Sequence, residues 1–284
     1  MLAAVLVVSG CARDEEAYME RPVEDLYNDA MSLLQKEEYK AAAKAFDEVE
    51  RQHPYSSWAT KAQLMAAYTY YENNKYDEAV VALDRFIQLH PGHRDIAYAY
   101  YLKGLSYYEQ ITDVSRDQKM TELATESLRE VVTRFPTSQY ARDARLKLDL
   151  TVDHLAGKEM EIGRYYQSRQ KYLAAINRFT VVVTQYQTTT HVPEALHRLV
   201  ETYTALGLTE EARRTAAVLG HNFPGSEWYQ DSYRGVQGEA DQTGEPKDWL
   251  GKMRTKVEGY LPKIGNILPE PDENGERSWF GWKF

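Results

Sequence analysis

Two stretches of the 284-residue chain decide the fold: YKAAAKAFDEVERQHP at residues 39–54 and YDEAVVALDRFIQLHP at residues 76–91. Each begins with a tyrosine, has an alanine twelve residues before its last position, and ends in His-Pro. Apolar residues recur at the three- and four-residue spacing of an amphipathic helix, and the proline ends that helix. Two copies of one helical pattern, 37 residues apart, indicate a helical repeat.

Three further copies end at Pro136, Gln187 and Pro224, and the alanine recurs in all five copies, as Ala42, Ala79, Ala124, Ala175 and Ala212. In each copy the preceding helix carries a small residue: Ala30, Ala67, Gly104, Gly163 or Val200. Three residues later is a larger residue, a tyrosine in four of the five copies: Leu33, Tyr70, Tyr107, Tyr166 or Tyr203. Small residues on both helices allow two axes to approach closely, and no such hairpin buries its apolar face alone. We therefore predict an all-α fold: an α-solenoid of five tetratricopeptide-like helical hairpins with an irregular C-terminal extension. We expect the tyrosines at the repeat position to be core residues.

The solenoid is predicted over residues 23–226, with units at about 23–54, 56–91, 93–136, 138–187 and 190–224. Turn-forming and charged residues at 112–118 predict a loop that stands off the third unit. The stretch 138–154 predicts an extra or extended helix before the fourth unit. In the extension, 227–284, we predict one amphipathic helix at about 246–260 and a disordered aromatic tail.

The chain begins with a short apolar run, residues 2–8, followed by Ser9-Gly10-Cys11. Seven apolar residues are too few to span a bilayer, and a short apolar run that ends in small residues is typical of a secretory signal. The segment resembles a bacterial lipoprotein processing box, which predicts a signal peptide at 1–10, a lipid on Cys11 and a flexible linker at 11–22. The alternative is a frayed apolar terminus with a free thiol. Ala12, rather than Asp, after the cysteine implies the outer membrane, on its periplasmic face.

Composition excludes several classes of function. The chain has 43 acidic and 34 basic residues, a formal charge of −9, which argues against nucleic-acid binding. Its single cysteine excludes an intramolecular disulfide. His90 and His93 form the only close histidine pair, and no third ligand is spaced to complete a metal site. Without phosphate-loop, nucleophile-elbow or zinc motifs, we predict no enzyme, no cofactor and no metal.

Four of the 22 tyrosines fall outside the repeat position on the first helices of units two and three: Tyr68, Tyr71, Tyr98 and Tyr101. Tyrosine suits peptide capture because it offers contact area and a hydroxyl group at low entropic cost. These four are candidates for a substrate groove, and burial in the core is the alternative.

Several segments together resemble the BamD family, the lipoprotein subunits of the outer-membrane β-barrel assembly machinery. They include residues 82–87 before His90-Pro91, the loop residues 115–118, residues 135–140 and the pair Asn177-Arg178. The resemblance implies a non-enzymatic, lipid-anchored subunit that binds a POTRA domain of the barrel subunit BamA, with Arg178 and Asn177 at that contact. It also implies binding of other assembly lipoproteins and of unfolded outer-membrane β-barrel proteins.

One alternative function remains open. A periplasmic tetratricopeptide scaffold that links the outer membrane to peptidoglycan or the division machinery would share the fold.

At the end of the tail, Phe280, Trp282 and Phe284 alternate as in a strand. That segment either adds to the sheet edge of a partner or packs as an apolar anchor on its own protein.

Overall fold

A computed structural model describes residues 20–234, together with 278–279 and 282–283. The chain divides into two compact units, residues 1–93 and 94–284. The first unit contains α1 (Val23–Gln35), α2 (Tyr39–Gln52), α3 (Ser57–Glu72) and α4 (Tyr76–Leu89). The second contains α5 (Ile96–Tyr108), α6 (Lys119–Arg134), α7 (Gln139–Ser168), α8 (Tyr172–Gln185), α9 (Val192–Ala205) and α10 (Thr209–Asn222), and residues 227–234 are also helical. Within each unit consecutive helices pack on one another, which confirms the predicted α-solenoid of helical hairpins.

The repeat positions form the core. All five repeat alanines are fully buried, as are Phe46, Leu83, Leu128 and Phe179 four residues later. A Cβ on Gly104 would lie 2.9 Å from Leu128 Cδ2, and one on Gly163 only 2.4 Å from Phe179 Cε1. Small residues therefore permit the close helix contact that the sequence predicts.

Four of the five hairpins share one turn. In each, three residues separate the helices, and the middle one has positive φ: Glu37, Asn74, Gln170 and Gly207. The residue after it donates its backbone N–H to the carbonyl of the repeat aromatic position, as from Lys75 to Tyr70 at 2.9 Å. The positive-φ residue also donates its backbone N–H to the carbonyl three residues before it, as from Asn74 to Tyr71 at 2.9 Å. These two hydrogen bonds form the Schellman motif, which satisfies carbonyl groups at the end of the first helix.

The tyrosines at the repeat position are less buried than predicted. Tyr70, Tyr107, Tyr166 and Tyr203 are all half-buried. Tyr70 packs against the core of the first unit, and its hydroxyl donates to Asp47 Oδ2 at 3.3 Å. Tyr166 and Tyr203 likewise pack against a buried cluster while part of each side chain reaches solvent.

The third hairpin departs from the shared turn. Ten residues, 109–118, connect α5 to α6. After α6, the chain forms one extended helix, the 30-residue α7. The N-cap residue Ser138 starts α7 by accepting a hydrogen bond from the backbone N–H of Ala141 at 3.2 Å. Of the two sequence alternatives, an extra or an extended helix, the structure has the extended one.

Candidate functional site

Arg178 lies on α8 and is bound to a carboxylate of the same hairpin. Its Nη1 donates to Glu159 Oε2 at 3.0 Å and to Oε1 at 3.3 Å, from α7. The arginine side chain is 42 % exposed and the glutamate 19 %. Among the described residues, only Nη1 of this guanidinium has an acceptor, so Nε and Nη2 remain available to a second carboxylate. Asn177, the other predicted contact residue, is exposed beside it.

Tyr98 and Tyr101 belong to an aromatic cluster on the second unit. Both rings lie 5.3 Å from the ring of Tyr140 at the start of α7, and the Tyr101 ring is stacked on it. The Tyr101 hydroxyl donates to Asp143, which also binds Lys147 Nζ at 2.8 Å. These hydrogen bonds, from Lys147 first and Tyr101 second, hold the pKa of Asp143 below its usual range. The two tyrosines are half-buried, so they are neither free surface residues nor core residues.

Tyr68 and Tyr71 lie on α3, in the first unit, and are also half-buried. Burial raises the pKa of Tyr68, and its hydrogen bond to Glu72 raises it further. The Tyr71 ring meets the Tyr76 ring edge-on at 5.7 Å. The four predicted groove tyrosines thus belong to two pairs, one in each compact unit.

The 109–118 loop does not stand off the hairpin as predicted but is bound to α7. The buried Gln118 donates through Nε2 to the carbonyls of Val114 and Arg116, at 3.1 and 3.0 Å. Its Oε1 accepts from His154 Nδ1 at 2.9 Å, and Lys158 Nζ donates to the Ser115 carbonyl at 2.8 Å. Sequence reasoning missed this role of Gln118, although the residue stands in the segment that carries the family resemblance.

A second polar network crosses α7 and α9. Glu201 accepts hydrogen bonds from Arg198 Nη1 at 2.9 Å and from Gln167 Nε2 at 3.0 Å, and it lies 3.3 Å from His197 Nε2. His197, followed by these two donors, lowers the pKa of the Glu201 carboxyl to about 2. The buried His197 also bonds to Ser232 Oγ through Nδ1 at 2.8 Å, which ties the helical segment 227–234 to α9.

Two predicted features lie outside the described residues: Cys11 with the signal segment, and the amphipathic helix at 246–260. In the tail, Ser278–Trp279 pairs antiparallel with Trp282–Lys283, and Trp279 is opposite Trp282. Within the described residues, no helix combines the length and apolarity that a bilayer span needs. Nor does that part of the chain hold a group of three His, Cys, Asp or Glu side chains arranged to bind a metal.

Comparison with known proteins agrees with the resemblance. The family model YfiO, described as outer membrane lipoprotein, matches residues 19–219. The outer membrane protein assembly factor BamD of Caulobacter vibrioides is 52 % identical over 283 residues, covering 97 % of this chain and 92 % of that protein. BamD of Rickettsia prowazekii is 48 % identical over 238 residues, covering 84 % and 95 %. A solved thermophilic TPR protein of Thermus thermophilus is 17 % identical with a TM-score of 0.36, covering 76 % and 99 %. On the family model and the two relatives, the chain belongs to the BamD family of outer membrane protein assembly factors.

Proposed function

We propose that this chain is a non-enzymatic lipoprotein subunit of the outer-membrane β-barrel assembly complex. A lipid on Cys11 anchors it to the periplasmic face of the outer membrane. Its second unit binds a POTRA domain of a BamA-like barrel subunit through Arg178 and Asn177. The half-buried tyrosines Tyr68 and Tyr71, and separately Tyr98 and Tyr101, contact unfolded barrel proteins. Other assembly lipoproteins are further partners.

One observation carries the proposal for the barrel subunit: the guanidinium of Arg178 is oriented before any partner binds. Glu159 holds Nη1 and fixes the side chain on the surface of α8, and the remaining donors form a fork that fits a second carboxylate. A side chain that is already ordered loses less rotamer entropy on binding. The exposed Asn177 adds an amide beside it.

The ion pair also dictates how the test is designed. Arg178→Glu alone would place two carboxylates side by side and destabilise the hairpin, so lost binding would be ambiguous. The double variant Arg178→Glu with Glu159→Arg restores an ion pair inside the protein while it reverses the charge on α8. The matched control is Arg85→Glu with Glu50→Arg, an interhelical pair in which Glu50 is also 19 % exposed.

The measurement is recovery of partners from envelopes solubilised in mild detergent, with helical circular dichroism as the folding check. We expect the native chain and the Arg85/Glu50 swap to recover a large barrel protein with POTRA domains, and the Arg178/Glu159 swap to lose it. Full recovery by that swap would refute the role of Arg178. Recovery of peptidoglycan-binding or division proteins without a barrel subunit would refute the assembly function itself.

A further inference from the structure

The second unit contains a cleft of about 800 Å³ that the proposed function does not use. It lies between the end of α5 with the 109–118 loop, the middle of α7, and His191 just before α9. Gly157 makes the walls close: a Cβ there would lie 3.2 Å from His191 Nε2 and 3.7 Å from Val114 Cγ1. Hydrogen bonds hold these segments together: the loop to α7 through His154 and Lys158, and the segment before α9 to α7 through Thr190 N–H and Asp153 Oδ1 at 2.9 Å.

The walls of the cleft combine apolar and acidic groups. The apolar side chains are Tyr108, Ile111, Val114 and Leu150, and the carboxylates are those of Glu109, Asp113, Asp153 and Glu161. Leu150, on α7, is 59 % exposed, so most of its side chain is accessible to a ligand in the cleft. The one arginine in the lining, Arg164, is paired with Glu194 at 3.1 Å and so does not offset the lining carboxylates. Of those carboxylates, Glu161 is paired with a lysine, Lys158, at 3.6 Å. The cleft has a net negative charge and suits a ligand that is both basic and apolar.

The chain itself has a segment of that chemistry at residues 246–263, outside the described residues. Positions 247–263 contain five basic and two acidic residues. The predicted helix at 246–260 has an apolar stripe of Trp249, Leu250, Met253, Val257 and Tyr260. Lys252 and Lys256, four residues apart, follow one edge of the stripe. A helix with one apolar stripe and one basic edge matches an apolar cleft with an acidic rim.

The segment can also reach the cleft. Residues 227–234 are tied to α9 at His197, which lies six residues, or about 9 Å, along α9 from the cleft residue His191. Trp228 packs its ring 5.2 Å from that of His197. The eleven residues 235–245 span up to about 35 Å when extended. The connection is therefore longer than the distance along α9 requires.

We propose that the basic, apolar segment 246–263 docks in the cleft of its own chain. Its apolar stripe covers Leu150, Ile111 and Val114, and Lys252 and Lys256 pair with Glu109 and Asp113. The inference is independent of the proposed contact at Arg178.

Site-specific photocross-linking on the full chain tests the proposal. Met253→p-benzoylphenylalanine places a photoreactive group on the stripe, and mass spectrometry identifies the residues that it labels. Mixing isotopically heavy and light chains separates links within one chain from links between copies. We expect links within one chain to residues 108–114 and 150–157.

Charge variants make the result specific. Glu109→Lys with Asp113→Asn reverses or removes two rim charges, and the asparagine retains the oxygen that accepts the Ser115 N–H at 2.8 Å. We expect a roughly tenfold fall in link yield. Adding Lys252→Glu, opposite the new lysine at position 109, should restore part of the yield, because it re-forms one of the two ion pairs. Glu122→Lys with Glu126→Gln, the same charge change at exposed α6 positions outside the cleft, should not alter it.

Three outcomes would overturn the proposal. Links from Met253→p-benzoylphenylalanine only to residues outside the cleft would place the segment elsewhere. Links only between heavy and light chains would make a second copy the occupant. A yield that is the same in the Glu109/Asp113 variant as in the α6 control would show that the rim carboxylates do not hold the segment.

Discussion

The close contact between Gly163 and Phe179 gives the sharpest prediction about stability. Replacing Gly163 by Ala removes an unfavourable helix residue, a gain of about 1 kcal/mol where nothing opposes it. Here the new methyl would lie 2.4 Å from Phe179 Cε1 and 2.7 Å from Cδ1, whereas non-bonded carbons approach to about 3.5–4.0 Å. The ring would have to move by about 1 Å.

The surroundings leave little space for that movement. Phe179 is fully buried, and it belongs to a cluster in which Met160, Ala175 and Val182 are fully buried as well. Overpacking a close-packed core costs about 1–3 kcal/mol, which outweighs the helix gain. We expect Gly163→Ala to lower the free energy of unfolding by up to about 2 kcal/mol, and the melting temperature by a few degrees.

Urea unfolding followed by circular dichroism measures the loss, and amide exchange localises it to α7 and α8. In the Phe179→Leu background the cost of Gly163→Ala should shrink, because Leu is shorter, and a double-mutant cycle measures that coupling. Gly225→Ala is the control, since no atom lies within 4 Å of its added Cβ and its φ is not positive. If Gly163→Ala stabilises the protein, or costs the same in both backgrounds, the close contact is not what requires glycine.

Three further predictions concern polar groups and turns. The pKa of Glu201 is lowered to about 2, so the stability that this carboxylate contributes is complete above about pH 4.5 and is lost as the pH falls toward 2. In Glu201→Gln, the free energy of unfolding should therefore fall by about 1 kcal/mol less between pH 4.5 and pH 2 than in the native chain, a value reduced for the partial exposure of the carboxylate. Gln118→Ala should increase amide exchange at 113–116 by at least about tenfold with little loss of helical dichroism, because the loop loses its central donor; unchanged exchange would refute that role. Gln170→Gly should raise the free energy of unfolding by up to about 1 kcal/mol, because φ is +58° there; a loss would show that the side chain compensates for the strain.

The repeat could be predicted from sequence because its physical requirement is local. An alanine such as Ala42 is needed wherever two helices come close, and burial to 0 % exposure at all five positions shows how strict that requirement is. The shared turn could not be predicted, because three of its four positive-φ residues, Glu37, Asn74 and Gln170, are not glycine. Their conformation is imposed by the Schellman hydrogen bonds rather than by the residue type.

The candidate site was only partly predictable, for a different reason. Arg178 and Asn177 were found through the family resemblance, but Glu159 is 19 residues earlier on a helix whose extent was ambiguous. Pairing a charge with its partner requires the relative rotation of two helices, which a periodic pattern does not give. The binding of the loop through Gln118 was missed because a single glutamine has no signature of burial.

The departures from the repeat are concentrated in one part of the second unit. Only in the third hairpin does the 109–118 loop replace the shared turn. This loop is hydrogen-bonded to α7, which is about twice as long as the other helices. Its first half carries the Tyr140 aromatic cluster, its middle forms one wall of the acidic cleft, and Glu159 in the second half orients Arg178. The other hairpins lack such a loop, and the other helices from α1 to α10 are about half as long as α7, so the repeat itself requires neither the loop nor the length of α7. Each of them is therefore a better place to look for functions specific to this family than the repeat positions, which explain the scaffold alone.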